Sequence, residues 1–320
     1  MARGSNRPMA DAHFAHPLAR ALRCPDHPSA VLAGESDRAW RCLACGSVYR
    51  VRDGIPDFTP AAVTAAFSVE AEQWDDQAER YEAGRVSDPL YMAGVRAAVW
   101  AARPIRGRAV LDAGCGTGLV TRALRAEGVA VAAIDASAAS LGLVDREPDG
   151  HPILAVRGDL TRLPFADESF DRVVCANVLQ QFPDPAARRR AVSELARVAR
   201  PGGRIVVTAH AYSVRKRWLG WPVDGPAGGP SGMVRFVHRF TRKEFADLLA
   251  TALGGVRLTG AMFPLPYRFK LSWLSRVAEM TLRQFPIAAA FGEMLVGVGA
   301  RKSGAAPAGG GDPAGRRHAV

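Results

Sequence analysis

Between residues 104 and 302, apolar runs of four to seven positions alternate with segments whose apolar side chains return every three or four residues. The runs at Ala109–Asp112, Val129–Ile134, Ile153–Val156, Arg172–Ala176 and Arg204–Thr208 read as strands. Between the last two, the spacing of Val192, Leu195, Val198 and Ala199 predicts a helix over 186–199, ended by "RPGG" at 200–203. "TRKE" at 241–244 has the form of a capping box, in which Thr241 and Glu244 satisfy each other's backbone donors. It predicts a helix running to about Leu253, and a last strand is expected at Met294–Ala300. Strands alternating with helices predict an α/β fold, a parallel sheet with helices on both faces.

Outside that region the pattern changes. Residues 1–20 and 303–320 are rich in Gly, Ala and Pro and are expected to be disordered. Residues 21–60 form a compact head with cysteines, and 61–103 a helical bridge into the alternating region. A chain of 320 residues with 48% hydrophobic and 23% charged positions suits one large soluble domain plus a small one. No apolar run approaches the length of a membrane span and the N-terminus lacks a signal-like apolar core, so a cytoplasmic protein is expected.

The net charge of +11 is concentrated. Residues 1–23 and 301–320 carry +3 each and residues 211–243 carry +6, which leaves the rest of the chain near neutral. The tails are read as solvated ends. Within the 211–243 stretch, the mixture of cations and aromatic residues at 212–221 could stack on and neutralise RNA or lie on a membrane surface.

Chemistry enters with "VLDAGCGTGL" at 110–119, three glycines between a strand and a helix. Such a turn lets backbone N–H groups face a polar ligand. Its spacing, Gly114-x-Gly116-x-Gly118, departs from the dinucleotide fingerprint, with Thr121 where a later glycine would be wanted. Ligands of open parallel sheets bind beyond the carboxyl ends of the strands, and several polar residues fall there. Asp112 precedes the loop. Asp135 ends the second strand, where an acid can accept both hydroxyls of a ribose. Asp159 follows the third strand and could accept from an exocyclic amine; Ala176 and Asn177 follow the fourth. Cys115 and Cys175 read as packing residues.

Four segments in this order, "VLDAGCGTG", "AIDAS", "GDLTRLPFADESFDRVVCANVLQQFPDP" and "ELARVARPGGRIVVT", closely resemble the class I S-adenosylmethionine-dependent methyltransferases of the ubiquinone-biosynthesis type, over about residues 70–260. The resemblance implies a doubly wound, Rossmann-like, mostly parallel seven-stranded sheet, and S-adenosylmethionine as cofactor. By resemblance, the backbone around Gly114, Cys115, Gly116 and Gly118 cradles the methionine part, with Asp112 beside it. Asp135 and Ala136 take the ribose, Asp159 and the N–H of Leu160 the adenine edge, and Asn177 closes the pocket. "EAEQWDDQAERYEAGR" at 70–85 looks like the family's leading helix, with Trp74 and Tyr81 over the cofactor. Many relatives carry a His pair after the fourth strand, where this chain has Gln180 and Gln181.

In the head, Cys24-x2-His27 and Cys42-x2-Cys45 are separated by fourteen residues and supply four ligands suited to tetrahedral zinc. The segment resembles the zinc-ribbon-like heads of bacterial methyltransferases and the small activators of tRNA methyltransferases. Zn2+ is expected there in a structural role, because about 40 residues build little core alone.

Two insertions, 209–240 and 263–291, are expected to form the acceptor site, the latter carrying Phe263, Tyr267, Phe269, Trp273, Phe285 and Phe291. "CANV" after the fourth strand lacks the [DN]-P-P-[YF] motif of enzymes that methylate exocyclic amines. A small natural-product or quinone-like acceptor, methylated on oxygen, is the leading expectation. His210, with His238 and His151, is a candidate base, and His210 is taken as the catalytic residue. An rRNA or tRNA methyltransferase using the head and the basic stretch stays open, as does a non-catalytic activator module. The oligomeric state is not legible.

Overall fold

The computed structural model describes residues 16–36, 39–59, 75, 78–86, 88–103, 105, 107–144, 153–228, 234–263, 281 and 290–302. Trp74, His151, Tyr267, Phe269, Trp273, Phe285 and the C-terminal tail lie outside the described residues. His16 and Leu18 are already buried, ahead of the boundary expected at residue 20.

The head is an antiparallel meander of β1 (Leu32–Ser36), β2 (Ala39–Cys42), β3 (Val48–Arg52) and β4 (Ile55–Asp57). Helices α1 (Ala78–Val86) and α2 (Pro89–Ala102) follow. The alternating region runs β5 (Ala109–Ala113), α3 (Leu119–Arg125), β6 (Ala130–Asp135), α4 (Ala138–Val144), β7 (Ile153–Arg157), β8 (Phe170–Ala176), α5 (Pro185–Val198) and β9 (Ala199–His210). After it come the short helix α6 (Val214–Trp218), a hairpin of β10 (Asp224–Gly228) and β11 (Val234–His238), and helix α7 (Arg242–Ala250). Antiparallel β12 (Leu253–Ala261) and β13 (Met294–Arg301) end the fold.

Among the described residues the main sheet has eleven strands, not seven, in the order β1-β2-β3-β4-β7-β6-β5-β8-β9-β13-β12. The expected seven are present from β7 to β12, five of them parallel. The other four belong to the head. Strand β4 lies parallel to edge strand β7, pairing Asp57 with Arg157, and Phe58 N–H donates to Arg157 O at 2.8 Å. An open edge leaves backbone groups unpaired, and here the head takes up the edge at Arg157.

The continuous apolar runs follow from burial on both faces. Val110, Val131, Val174 and Val206 face a core shared with α2, whereas Leu111, Ile134, Val173 and Ile205 face the opposite one. That second core runs without a break into the head, where Trp40, Tyr49 and Phe58 stack. Cys175 is buried in it, as a packing residue should be.

Helix starts obey local rules. Asp88 and Asp184 each accept two backbone N–H groups ahead of a first-turn proline, Pro89 and Pro185. Three sequence-based expectations need correction. "RPGG" lies inside β9, where the pairing with β8 shifts from Phe170–Ala199 to Arg172–Arg204. Helix α7 stops at Ala250, because Leu253, only 1% exposed, is drawn into β12. The capping box at Thr241 is half made: Thr241 Oγ1 accepts from Glu244 N–H, but the Glu244 carboxylate turns to His238 instead. Among the described residues no helix is long and apolar enough to cross a membrane.

Candidate active site

The strand order reverses between β5 and β8, the place where such sheets open a crevice beyond their carboxyl ends. A cleft of about 110 Å³ lies there. Asp112, Gly114, Cys115, Gly116, Asp135, Ala136, Asp159, Leu160, Asn177 and Tyr81 all line it, so most of the residues expected from sequence come together.

The glycine loop shows why it is bare. Gly114 has φ +76° and its missing Cβ would lie 2.3 Å from Val178, so only glycine fits. Gly116 has φ +52°, and a Cβ there would meet nothing within 4 Å, because it would project into open space. Gly118 caps α3 and packs on Val144; it is not among the cleft-lining residues.

Each acid is held differently. Asp135 Oδ2 accepts from Gly116 N–H at 2.7 Å and Oδ1 from Ser137 N–H at 3.0 Å, which ties the end of β6 to the loop. Asp75, not singled out from sequence, accepts from Ser137 Oγ and from Ala139 N–H at the start of α4. Asp159 accepts from Thr161 at both oxygens. Asp112 is fully buried: Oδ2 accepts from Thr121 Oγ1 at 2.6 Å, and Oδ1 has no partner. Burial pushes its carboxyl up to about 7. The Cys115 thiol is likewise held well above its ordinary range by burial, which suits packing rather than nucleophilic attack.

The far wall was only partly legible. Asn177 sits at φ +59°, and its carbonyl accepts from the side-chain amides of both Gln180 and Gln181. Gln181 lines the cleft with Val178, Phe182, Tyr81 and Tyr91. The two tyrosine hydroxyls lie 3.1 Å apart, with the Arg85 guanidinium over both rings. Helical spacing in 70–102 could have paired Tyr81 with Tyr91 only if the turn between α1 and α2 were known.

His210 ends β9, half-buried, and is not among the residues lining the cleft. His238 is buried between Asp224 and Glu244, 2.6 Å from each, in the hairpin whose strand β11 packs on the 179–181 turn. Much of the basic stretch is already paired. Arg215 and Lys216 share Glu293, Lys243 meets Asp247, and buried Arg239 lies over Trp221. Trp218, in contrast, is 84% exposed.

In the head, the ligand atoms of Cys24, His27, Cys42 and Cys45 lie within 4.8 Å of one another. Cys24 Sγ is 3.8 Å from Cys45 Sγ and 3.7 Å from His27 Nδ1. A tetrahedral zinc with bonds of about 2.3 Å to sulfur has edges of about 3.8 Å. Tyr49 and Cys24 Sγ share a hydrogen bond at 3.0 Å behind the cluster.

A reversed parallel sheet with a bare glycine turn and a strand-end acid defines a Rossmann-like site for a nucleoside-bearing ligand. The orphaned Asp112 oxygen and the open face of Gly116 are features that such a ligand would fill. The methyltransferase domain family model matches residues 111–207. A demethylmenaquinone methyltransferase of Clavibacter sepedonicus is 35% identical over 149 residues, 46% of this chain and 58% of that protein. The chain therefore spans little more than half the length of that relative. A ubiquinone biosynthesis O-methyltransferase of Paracidovorax citrulli is 32% identical over 202 residues, 62% of this chain and 81% of that protein. The CcbJ methyltransferase of Streptomyces caelestis has the same fold, with a TM-score of 0.53 at 18% identity over 73% of this chain and 99% of its own. The chain belongs to the class I S-adenosylmethionine-dependent methyltransferases of the ubiquinone-biosynthesis type.

The raised Asp112 carboxyl has a consequence for stability. The folded state keeps the proton up to about pH 7, while the unfolded chain loses it near 3.8. The stabilisation is fully present below the lower value and is lost as pH rises through the upper one. Asp112→Asn should flatten this decline between about pH 4 and pH 7. Urea-unfolding midpoints measured against pH, without cofactor, check it; equal slopes in both proteins would refute it.

Proposed function

We propose that this methyltransferase acts on a small natural-product or quinone-like acceptor, with an oxygen as the methylated atom. The observation that carries this reading is the part of the cleft lining made by Tyr81, Tyr91, Val178 and Phe182, with polar Gln181 between the last two in the chain. Flat apolar walls with a few polar groups suit a small aromatic molecule. The quinone-related activities of the two relatives support the same class.

S-adenosylmethionine, when bound, supplies a methyl group activated on a sulfonium. The chain's own residues then have to place it and exclude water, since an in-line displacement gains most from positioning and desolvation. In this reading the backbone at Gly114–Gly118 carries the methionine part, with Asp112 alongside. Asp135 accepts the ribose hydroxyls beside Ala136, Asp159 and the Leu160 N–H meet the adenine edge, and Tyr81 and Asn177 close the pocket. Asp135 keeps its backbone bonds in doing so, because a carboxylate has about four acceptor positions. Asp135→Ala should weaken binding of S-adenosylhomocysteine by at least about tenfold, the loss of one charge-assisted hydrogen bond. Calorimetry checks this, and unchanged affinity would remove Asp135 from the role.

We also assign Cys24, His27, Cys42 and Cys45 to a structural Zn2+, on the strength of their near-tetrahedral spacing. Purified protein should carry about one zinc per chain by elemental analysis. Cys42→Ser should lose most of it; full occupancy in that variant would argue against the cluster.

The acceptor class is tested with cofactor labelled on the methyl group, added with the enzyme to extract from cells lacking the gene. Label in the organic-soluble fraction supports the small-molecule reading. Label in RNA would overturn it, and would give exposed Trp218 and the neighbouring Arg217 a role in gripping the nucleic acid.

A further inference from the structure

One side chain links the head to the strand end beside the cleft. Arg157, the last residue of β7, pairs across the sheet with Asp135 of β6 on one side and Asp57 of β4 on the other. Its Nε donates to the carbonyl of Ala136 at 2.9 Å, and its Nη1 lies 3.4 Å from Asp57 Oδ2. Both side chains are largely buried, 24% exposed for Arg157 and 13% for Asp57. The next residue, Gly158, donates its N–H to Asp135 O at 3.0 Å. A single guanidinium therefore joins a head carboxylate to the Asp135–Ala136 corner.

The loop that follows is gripped by the head at its other end. Gly158, Asp159 and Leu160 line the cleft. Beyond them Arg23 N–H donates to Pro164 O and Ala166 N–H to Ala21 O, while Arg162 forms an ion pair with Asp26. The 158–166 segment is thus suspended between two head contacts.

We propose that Arg157, held by Asp57, is a positioning residue for the cofactor, so that strand β4 of the head sets cofactor affinity in the adjoining domain. This rests on the assignment of Asp135 and Asp159 to the cofactor. The fork of an arginine matters here, since Nε and Nη1 address different acceptors at a fixed angle. A lysine at this position would keep the charge toward Asp57 but could not hold both partners in that geometry.

The test is calorimetric binding of S-adenosylhomocysteine to the full-length, metal-bearing protein and to Arg157→Met, Arg157→Lys, Asp57→Asn and the Arg157→Met/Asp57→Asn double variant. Arg157→Met should weaken binding about tenfold, and Arg157→Lys should recover only part of that. Asp57→Asn should weaken binding about threefold alone and add nothing in the Arg157→Met background, since its effect runs through Arg157. Binding by Arg157→Met within twofold of wild type would overturn the proposal. So would an Asp57→Asn loss of equal size in both backgrounds, which would mean a general loosening. Should Arg157→Met fail to fold, Arg157→Lys and Asp57→Asn decide it, and undiminished affinity in both refutes it. Wild-type protein that binds no S-adenosylhomocysteine would instead remove the cofactor reading itself.

Discussion

Burial of parallel strands on both faces governs this molecule. Strands β5, β6, β7, β8 and β9 run side by side, with apolar residues facing the α2 side and the head side in alternation. A sheet covered on both faces has only its edges and strand ends left for polar chemistry. All five strands finish at the same end, so Asp112, Asp135, Arg157 and Ala176 arrive together although they are far apart in sequence. The glycine turn after β5 then lets the backbone approach a ligand without a side chain in between.

The same constraint explains the head. Without a neighbour, β7 would expose a row of unpaired backbone groups at the sheet edge. Strand β4 pairs with the end of that row at Arg157, and the core around Phe58, Trp40 and Phe165 continues across the junction. A segment too small to build a large core borrows one from the domain it covers. The Cys24, His27, Cys42 and Cys45 cluster, none of which lines the cleft, ties the segment before β1 to the end of β2, consistent with a part in holding the meander together.

The insertion after β9 is built on another logic. The β10–β11 hairpin and helix α7 are joined by buried His238, which meets Asp224 and Glu244 at once. Lys216 is buried beside Glu293 in a similar way. Polar clusters of this kind fix the orientation of an insertion that has little apolar core of its own.

From the residues alone one could read the alternation, the glycine turn, the strand-end acids and the four candidate metal ligands. Each is a local pattern, set by side-chain period, backbone freedom or ligand spacing, and none needs knowledge of a distant partner. Tertiary structure alone decided what depends on neighbours remote in sequence. Leu253 left its helix for a strand because β13 was there to pair with it. Glu244 gave up its cap for His238, and Tyr91 reached the cleft because two helices fold back on each other. The head became part of the main sheet through one parallel pairing, Asp57 with Arg157, a contact across 100 residues of chain that no local pattern encodes.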